Sequence, residues 1–228
     1  MGVQARTLVE QIADEIMNMI QKTPYRAGDK LPTEKELCEK TGAGRNTVRE
    51  ALKILASRNI LEIRQGAGTF VSGKQGVADD PLGFSMVEDH VKLTRDLLQV
   101  RIMLEPQIAG LAAQRAKEED IEELASILRE MELVMEKKGD YSDLDTKFHT
   151  KIAECTHNIV MENLLPVIGK GVAVFAREVG QTEYDQTLLS HRKIFQYICE
   201  HKSFEAEMEM RFHLLYNTNR YERELGSV

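Results

Sequence analysis

The stretch from Thr33 to Arg58 leaves few folds open, because it encodes two short helices joined by a tight turn. Thr33 is followed at the right distance by Glu36, a capping box in which each side chain satisfies the other's backbone donor. That box opens a short helix, expected over 33–40, with Leu37 as its core residue. Gly42 breaks it, and a second helix is expected from Gly44 to Arg58. Val48, Ala51, Leu52 and Leu55 recur at helical spacing on its inner face, while Arg45, Asn46, Arg49 and Lys53 face outward. Two helices around a glycine turn, the second opening on polar and basic residues, describe a helix-turn-helix.

The flanks complete this unit. Leu8, Ile12, Ile16, Met19 and Ile20 predict a preceding helix over 4–22. Ile60–Arg64 and Thr69–Ser72 are β-prone and bracket Gln65-Gly66-Ala67-Gly68, a hairpin whose glycines permit a tight turn and close approach to a phosphate. Helix, helix-turn-helix and hairpin make a winged helix. Its chemistry suits DNA: a helix fits the major groove, Arg can grip guanine, Asn can grip adenine, and Thr47 can reach base or phosphate. The charge is partitioned accordingly. Residues 1–78 hold 12 Lys and Arg against 9 Asp and Glu, whereas residues 79–228 hold 18 against 28. A basic front end on an acidic body suggests that only the front meets phosphate. The same pattern also fits a solvated basic face, since amphipathic helix pairs with a hairpin occur in many folds.

Hydrophobic residues make up 42% of the 228 residues, enough for two modest cores. No run approaches the roughly 20 apolar residues of a membrane span, and the N-terminus reads as an amphipathic helix and not a signal peptide. Cys38, Cys155 and Cys199 are far apart and odd in number, which predicts a reduced, cytoplasmic protein without disulfides. Ser72 to Pro81 is polar and Gly-containing, so the expected organisation is a winged-helix domain over 1–73, a linker over 74–81 and a second domain over 82–228. That second domain is expected to be all-helical, with helices over 91–116, 118–138, 142–156, 159–178, 183–201 and 203–224. Breaks fall at Gly139, Asn158, Gly180 and His201-Lys202-Ser203, and Pro106 and Pro166 should kink their helices. The fold class is mainly α, with one small β-hairpin.

Asp145 and His149 are spaced i,i+4 and share a helix face; His191 and His213 lie on two later helices among apolar neighbours. One carboxylate and three imidazoles from three helices suit a transition metal such as Zn or Ni, and offer too little oxygen for calcium or magnesium. The competing reading is that each is an ordinary surface or core residue. His90, His157 and His201 have no such pattern and read as surface or loop residues.

From Ala27 to Val71 the sequence resembles the DNA-binding domain of the GntR family: Gly28, Leu31-Pro32, Glu34, Glu36-Leu37, Arg45, Thr47 through Leu52, Leu55, Gly66 and Gly68 through Val71. The resemblance implies DNA contacts by Arg45, Asn46, Thr47 and Arg49 on the recognition helix, Lys35 on the helix before it, and Gln65-Gly66 in the wing. Gly44 departs from the family's usual Ser, which removes a side-chain cap at a cost of a few tenths of a kcal/mol. The C-terminal body resembles the all-helical FCD effector domain of the FadR subfamily, through residues 100–116, "DTKFH" at 145–149, Asn158, "HRKIFQYI" at 191–198 and "MRFH" at 210–213. In that subfamily's metal-binding branch an Asp and three His form the site, and Asp145, His149, His191 and His213 match all four. A carboxylate effector is expected beside the metal. Arg101 either clamps that carboxylate or pairs with Glu105, and Asn158 either caps the next helix, the favoured reading, or touches the ligand.

Three functions follow as expectations. The leading one is a homodimeric regulator, expected to be a repressor, that binds a pseudo-palindromic double-stranded operator under control of a small carboxylate. The second is a purely structural metal. The third is a metal-dependent hydrolase, disfavoured because no HExxH-like general base or nucleophile constellation is present.

Overall fold

The computed structural model describes residues 6–73, 76–78, 80–176 and 184–225. The chain divides into two compact units, residues 1–81 and 82–228. The expected helix start at residue 4, parts of the linker and the break at Gly180 lie outside the described residues.

The first unit contains α1 (Leu8–Lys22), α2 (Glu34–Thr41), α3 (Arg45–Ser57), β1 (Leu61–Arg64) and β2 (Gly68–Val71). Helix α1 starts later than expected because Thr7 and Glu10 form a capping box there. The Thr33–Glu36 box opens α2, and Gly42, at φ 67, closes it in the left-handed conformation that glycine adopts without strain. Gly44 gives α3 no side-chain cap, yet the helix forms because Val48, Ala51, Leu52 and Leu55 are fully packed. They meet Ile12, Ala13 and Ile16 of α1, Leu31, Leu37 and Leu61 in one core. Strands β1 and β2 pair antiparallel, Leu61 opposite Val71 and Arg64 opposite Gly68. The other edge of β2 is covered by the segment before α2, where Leu31 N–H donates to the Thr69 carbonyl and Val71 N–H to the Asp29 carbonyl, both at 2.8 Å. This is the winged helix.

The second unit is helical throughout its described length: α4 (His90–Arg115), α5 (Glu118–Glu136), α6 (Ser142–Glu154), α7 (Ile159–Ala176), α8 (Tyr184–Cys199) and α9 (Ser203–Leu225). A short 3-10 turn at Phe84–Met86 precedes them and was not foreseen. Helices α4 and α7 run through Pro106 and Pro166. The largest core joins Ile108, Ala109, Ala112 and Ala113 of α4 to Leu124 and Met131 of α5, Phe148 and Ile152 of α6, Ile194 and Ile198 of α8, and Met210 and Leu214 of α9. Several chain reversals use non-glycine residues at positive φ, among them Lys138, His157 and His201. His157 and His201 are thus loop residues, but each has a partner: His157 Nε2 meets Asp120 Oδ2 at 2.9 Å, and His201 Nδ1 meets the Ala113 carbonyl at 2.8 Å. Among the described residues no helix is long and apolar enough to cross a membrane.

Candidate metal centre and nucleic-acid interface

Arg45, Asn46 and Arg49 are exposed on α3, Lys35 is exposed on α2, and Thr47 is half-buried. With no acceptor on the Gly44 side chain, the N–H groups of the first turn of α3 are open to a phosphate. The fork of Arg49 is already engaged: Nε and Nη2 donate to the two oxygens of Glu34 at 3.2 and 2.8 Å. That pairing raises the Arg49 pKa and lowers that of Glu34. Gln65 and Gly66 are exposed at the wing tip, Gly66 at φ 74. Behind them the Arg64 guanidinium stacks 4.4 Å from the centre of the Phe70 ring.

In the second unit Asp145 and His149 project from α6, His191 from α8 and His213 from α9. Their ligand atoms all lie within 4.8 Å of one another, and the three imidazoles are buried. The Nε2 atoms of His191 and His213 are 3.3 Å apart, and His191 Nε2 is 3.4 Å from Asp145 Oδ1. Donors on one tetrahedral ion with bonds of about 2.05 Å would be roughly 3.4 Å apart.

The other ring nitrogens show why these atoms fit a cation. His191 Nδ1 lies 3.2 Å from the Met131 sulfur, which can only accept, so that nitrogen carries the proton. His149 Nδ1 lies 2.5 Å from Glu105 Oε2, off the hydrogen-bond direction, and the carboxylate again can only accept. Ser190 Oγ directs its proton to the Thr187 carbonyl at 2.9 Å and so accepts from His213 Nδ1 at 2.7 Å. With their protons on Nδ1, His191 and His213 turn Nε2 lone pairs toward each other, and His191 turns its own toward the Asp145 carboxylate, with the His149 ring beside them. Such a buried cluster of acceptors is repulsive until a cation sits among them. Burial pushes His191 down to about 3, against the opposing charge of Asp145, and holds His213 well below its ordinary value. Both are neutral, as a ligand must be. Among the described residues the Asn217 amide reaches the cluster, 3.1 Å from His213 Nε2, and a metal there would displace it.

Arg101 and Asn158 do not join the four. Arg101 is buried and its guanidinium is held by Glu105 through Nε–Oε1 and Nη2–Oε2 contacts, so of its two readings the ion pair is the one formed. Burial opposes charge at Glu105, but Arg101 and His149 outweigh it and hold the carboxyl at about 2. Arg101 thus acts through Glu105 on His149. Asn158 Oδ1 accepts from Val160 N–H at 3.0 Å, the capping alternative. Sequence reasoning named Glu105 only as a partner for Arg101, from their four-residue spacing, and missed its contact with His149 as well as Met131 and Ser190. Met131 had no signal, because it reaches His191 from another helix.

The sequence pattern of "Bacterial regulatory proteins, gntR family" matches residues 8–71, and that of the "FCD domain" matches residues 96–215. The chain is 36% identical over 166 residues to the Uxu operon transcriptional regulator of Escherichia coli K12, covering 72% of this chain and 64% of that protein. It is 28% identical over 208 residues to the Galactonate operon transcriptional repressor of the same strain, covering 88% of this chain and 90% of that protein. A solved Streptococcus agalactiae GntR superimposes with a TM-score of 0.82 at 38% identity, over 92% of this chain and 99% of that one. These matched families are those of transcriptional regulators, not of enzymes. With both domains matched in order and the fold shared along nearly its whole length, the chain belongs to the GntR family, its gntR domain followed by an FCD domain.

Proposed function

We propose that the protein is a cytoplasmic, homodimeric transcriptional repressor whose winged helix reads a pseudo-palindromic operator and whose helical domain binds a divalent transition metal and a small carboxylate. The observation that carries the sensor half is the buried convergence of three imidazoles and the Asp145 carboxylate, their ligand atoms all within 4.8 Å of one another. Zinc or nickel at Asp145, His149, His191 and His213 would relieve that repulsion and offer an open position to a carboxylate oxygen. In the DNA-binding half, Arg45, Asn46 and Arg49 read bases, and Thr47, Lys35 and the Gln65-Gly66 wing hold phosphates. A two-fold dimer presents two recognition helices to half-sites about 34–36 Å apart. Repression is supported by the name of the galactonate repressor, and a hydroxycarboxylate ligand by the word galactonate in it.

The test is a thermal-shift screen of mono- and dicarboxylates on zinc-loaded and chelator-stripped protein, with His191→Ala alongside. The variant should lose bound zinc. An acid at 100 times its dissociation constant should stabilise the loaded wild type by about 2.7 kcal/mol and leave the stripped protein unmoved. A variant that keeps stoichiometric zinc removes His191 from the site. Stabilisation by zinc and by no acid makes the metal structural only.

A further inference from the structure

The hairpin of the first unit carries charge that neither the recognition helix nor the turn at Gln65-Gly66 accounts for. Residues facing each other in an antiparallel pair project from the same side of the sheet. The pairing of Arg64 with Gly68 and of Glu62 with Phe70 therefore puts these four on one face. Lys30, bridged to Phe70 across the other edge of β2, joins that face. Leu61, Val71 and Leu31 take the opposite face and pack into the core. The outer face thus holds two exposed cations, one acid and a half-buried ring.

The ring gathers both cations. The Arg64 guanidinium carbon lies 4.4 Å from the centre of Phe70, and the Lys30 ammonium lies 5.9 Å from it. Gly68 makes room for this, because a Cβ there would stand 2.7 Å from Lys30 Cε. The lysine stem accordingly crosses Gly68, the residue that follows the turn, while Arg64 precedes the turn. An aromatic face attracts a cation and gives a flexible stem a preferred place. Two like charges drawn to one ring also repel each other, and Glu62, 2.9 Å from Arg64 Nη2, offsets only one of them. Such a pair gains when further anions arrive.

We propose that Lys30 and Arg64 each take one phosphate of the duplex, on either side of the wing tip, and that Phe70 is a positioning residue holding both cations on that face. The strands that carry them are separated by β2, so their backbones stand about 10 Å apart, wider than the roughly 6 Å minor groove. The two cations therefore grip its borders while the turn lies between them. Contacts of this kind set affinity and register, not base choice. The inference rests on the DNA-binding half of the reading above and extends it to residues outside the recognition helix and the turn.

Because phosphate contacts are made to any sequence, the experiment uses full-length protein and a labelled mixed-sequence duplex of about 30 base pairs. Fluorescence anisotropy follows binding between about 50 and 200 mM salt. Lys30→Gln and Arg64→Gln should each bind about 5- to 10-fold more weakly at about 0.1 M salt. The slope of log affinity against log salt should shrink by about 0.9 in each and about 1.8 in the double variant. Phe70→Leu keeps both charges, so it should bind about 2- to 5-fold more weakly with the wild-type slope. Glu62→Gln releases Arg64 and should bind about 2-fold more tightly or better. The charge variants should melt within about 2 °C of wild type, since these side chains are exposed. A double variant with the wild-type slope overturns the proposal, and a Phe70→Leu protein as tight as wild type overturns the ring's part in it. If the double variant melts well below wild type, Glu62→Gln decides, and unchanged affinity there overturns the proposal. A wild type whose affinity ignores salt, with Arg45→Ala no weaker, fails the DNA-binding reading itself, which separates the two.

Discussion

At the scale of single residues, what matters is which of two available partners each side chain takes. Arg49 is the sharpest case in the DNA-binding unit, because its fork is spent on Glu34 in the free protein. Both side chains are about half exposed, so the pair is screened by solvent and adds little to stability. In the proposed DNA contact the pair would hold a planar fork at one angle, to exchange a carboxylate for a guanine edge or a phosphate. Arg49→Ala should therefore weaken operator binding by about ten-fold or more, as read by fluorescence anisotropy, with the melting temperature unchanged. Unaltered affinity would sink that role. Spacing put Arg49 on the outward face of a helix whose inner face is Val48, Ala51, Leu52 and Leu55, and the family resemblance gave that face its expected use. Glu34 was quoted only as part of the family pattern, because a partner fifteen residues away on another helix leaves no periodicity. The four residues of the candidate metal centre were legible from their spacing on successive helices. The contacts of their outer ring nitrogens were not, because Met131 and Glu105 reach the imidazoles across helix packing.

At the scale of elements, periodicity located every described helix of the second unit to within a few residues, since each has one apolar face and a polar break. The breaks fall where they were expected, with Gly139 and Asn158 both between helices. What periodicity did not mark is that the left-handed residues are their neighbours Lys138 and His157. A non-glycine side chain there costs strain, and at His157 a bond to Asp120 helps to hold it. One glycine that does shape this unit is Gly110, inside α4. A Cβ there would stand 3.2 Å from both the backbone oxygen and the hydroxyl of Ser203, at the start of α9. Ser203 in turn donates to the Gly110 carbonyl at 2.9 Å and accepts from Gln114. Alanine would gain about 1 kcal/mol in helix propensity, which the crowding should roughly cancel. Valine has no such offset, and Gly110→Val should lower unfolding free energy by about 1–3 kcal/mol in a denaturant titration. If the two variants unfold alike, α4 and α9 do not approach as closely as the structure places them.

At the scale of the whole molecule, composition misleads until it is divided. The net charge of −7 argues against nucleic acid, but the acids are concentrated in the domain that carries Asp145 and the three buried histidines, and the recognition helix has none in its first turn. At physiological salt a charge is screened within about 8 Å, so acidic groups farther than that from the recognition helix and wing would barely oppose phosphate binding by them. The harder question is how a metabolite in one unit could matter to DNA bound by the other. No sequence pattern speaks to that, because coupling is a difference between two states and a sequence encodes both at once. Thermodynamics still constrains it. An acid that binds both DNA-competent and DNA-incompetent forms equally shifts nothing, however tightly it binds. If it favours the incompetent form by some factor, the operator must weaken the acid by that same factor. Typical couplings are about 5- to 150-fold. For a repressor released by its ligand, saturating acid should raise the operator dissociation constant of zinc-loaded protein by a factor in that range. Calorimetry on the operator-bound protein should then show the acid's own dissociation constant raised equally. Equal acid affinity with and without operator would show that the helical domain binds its ligand for some purpose other than releasing DNA.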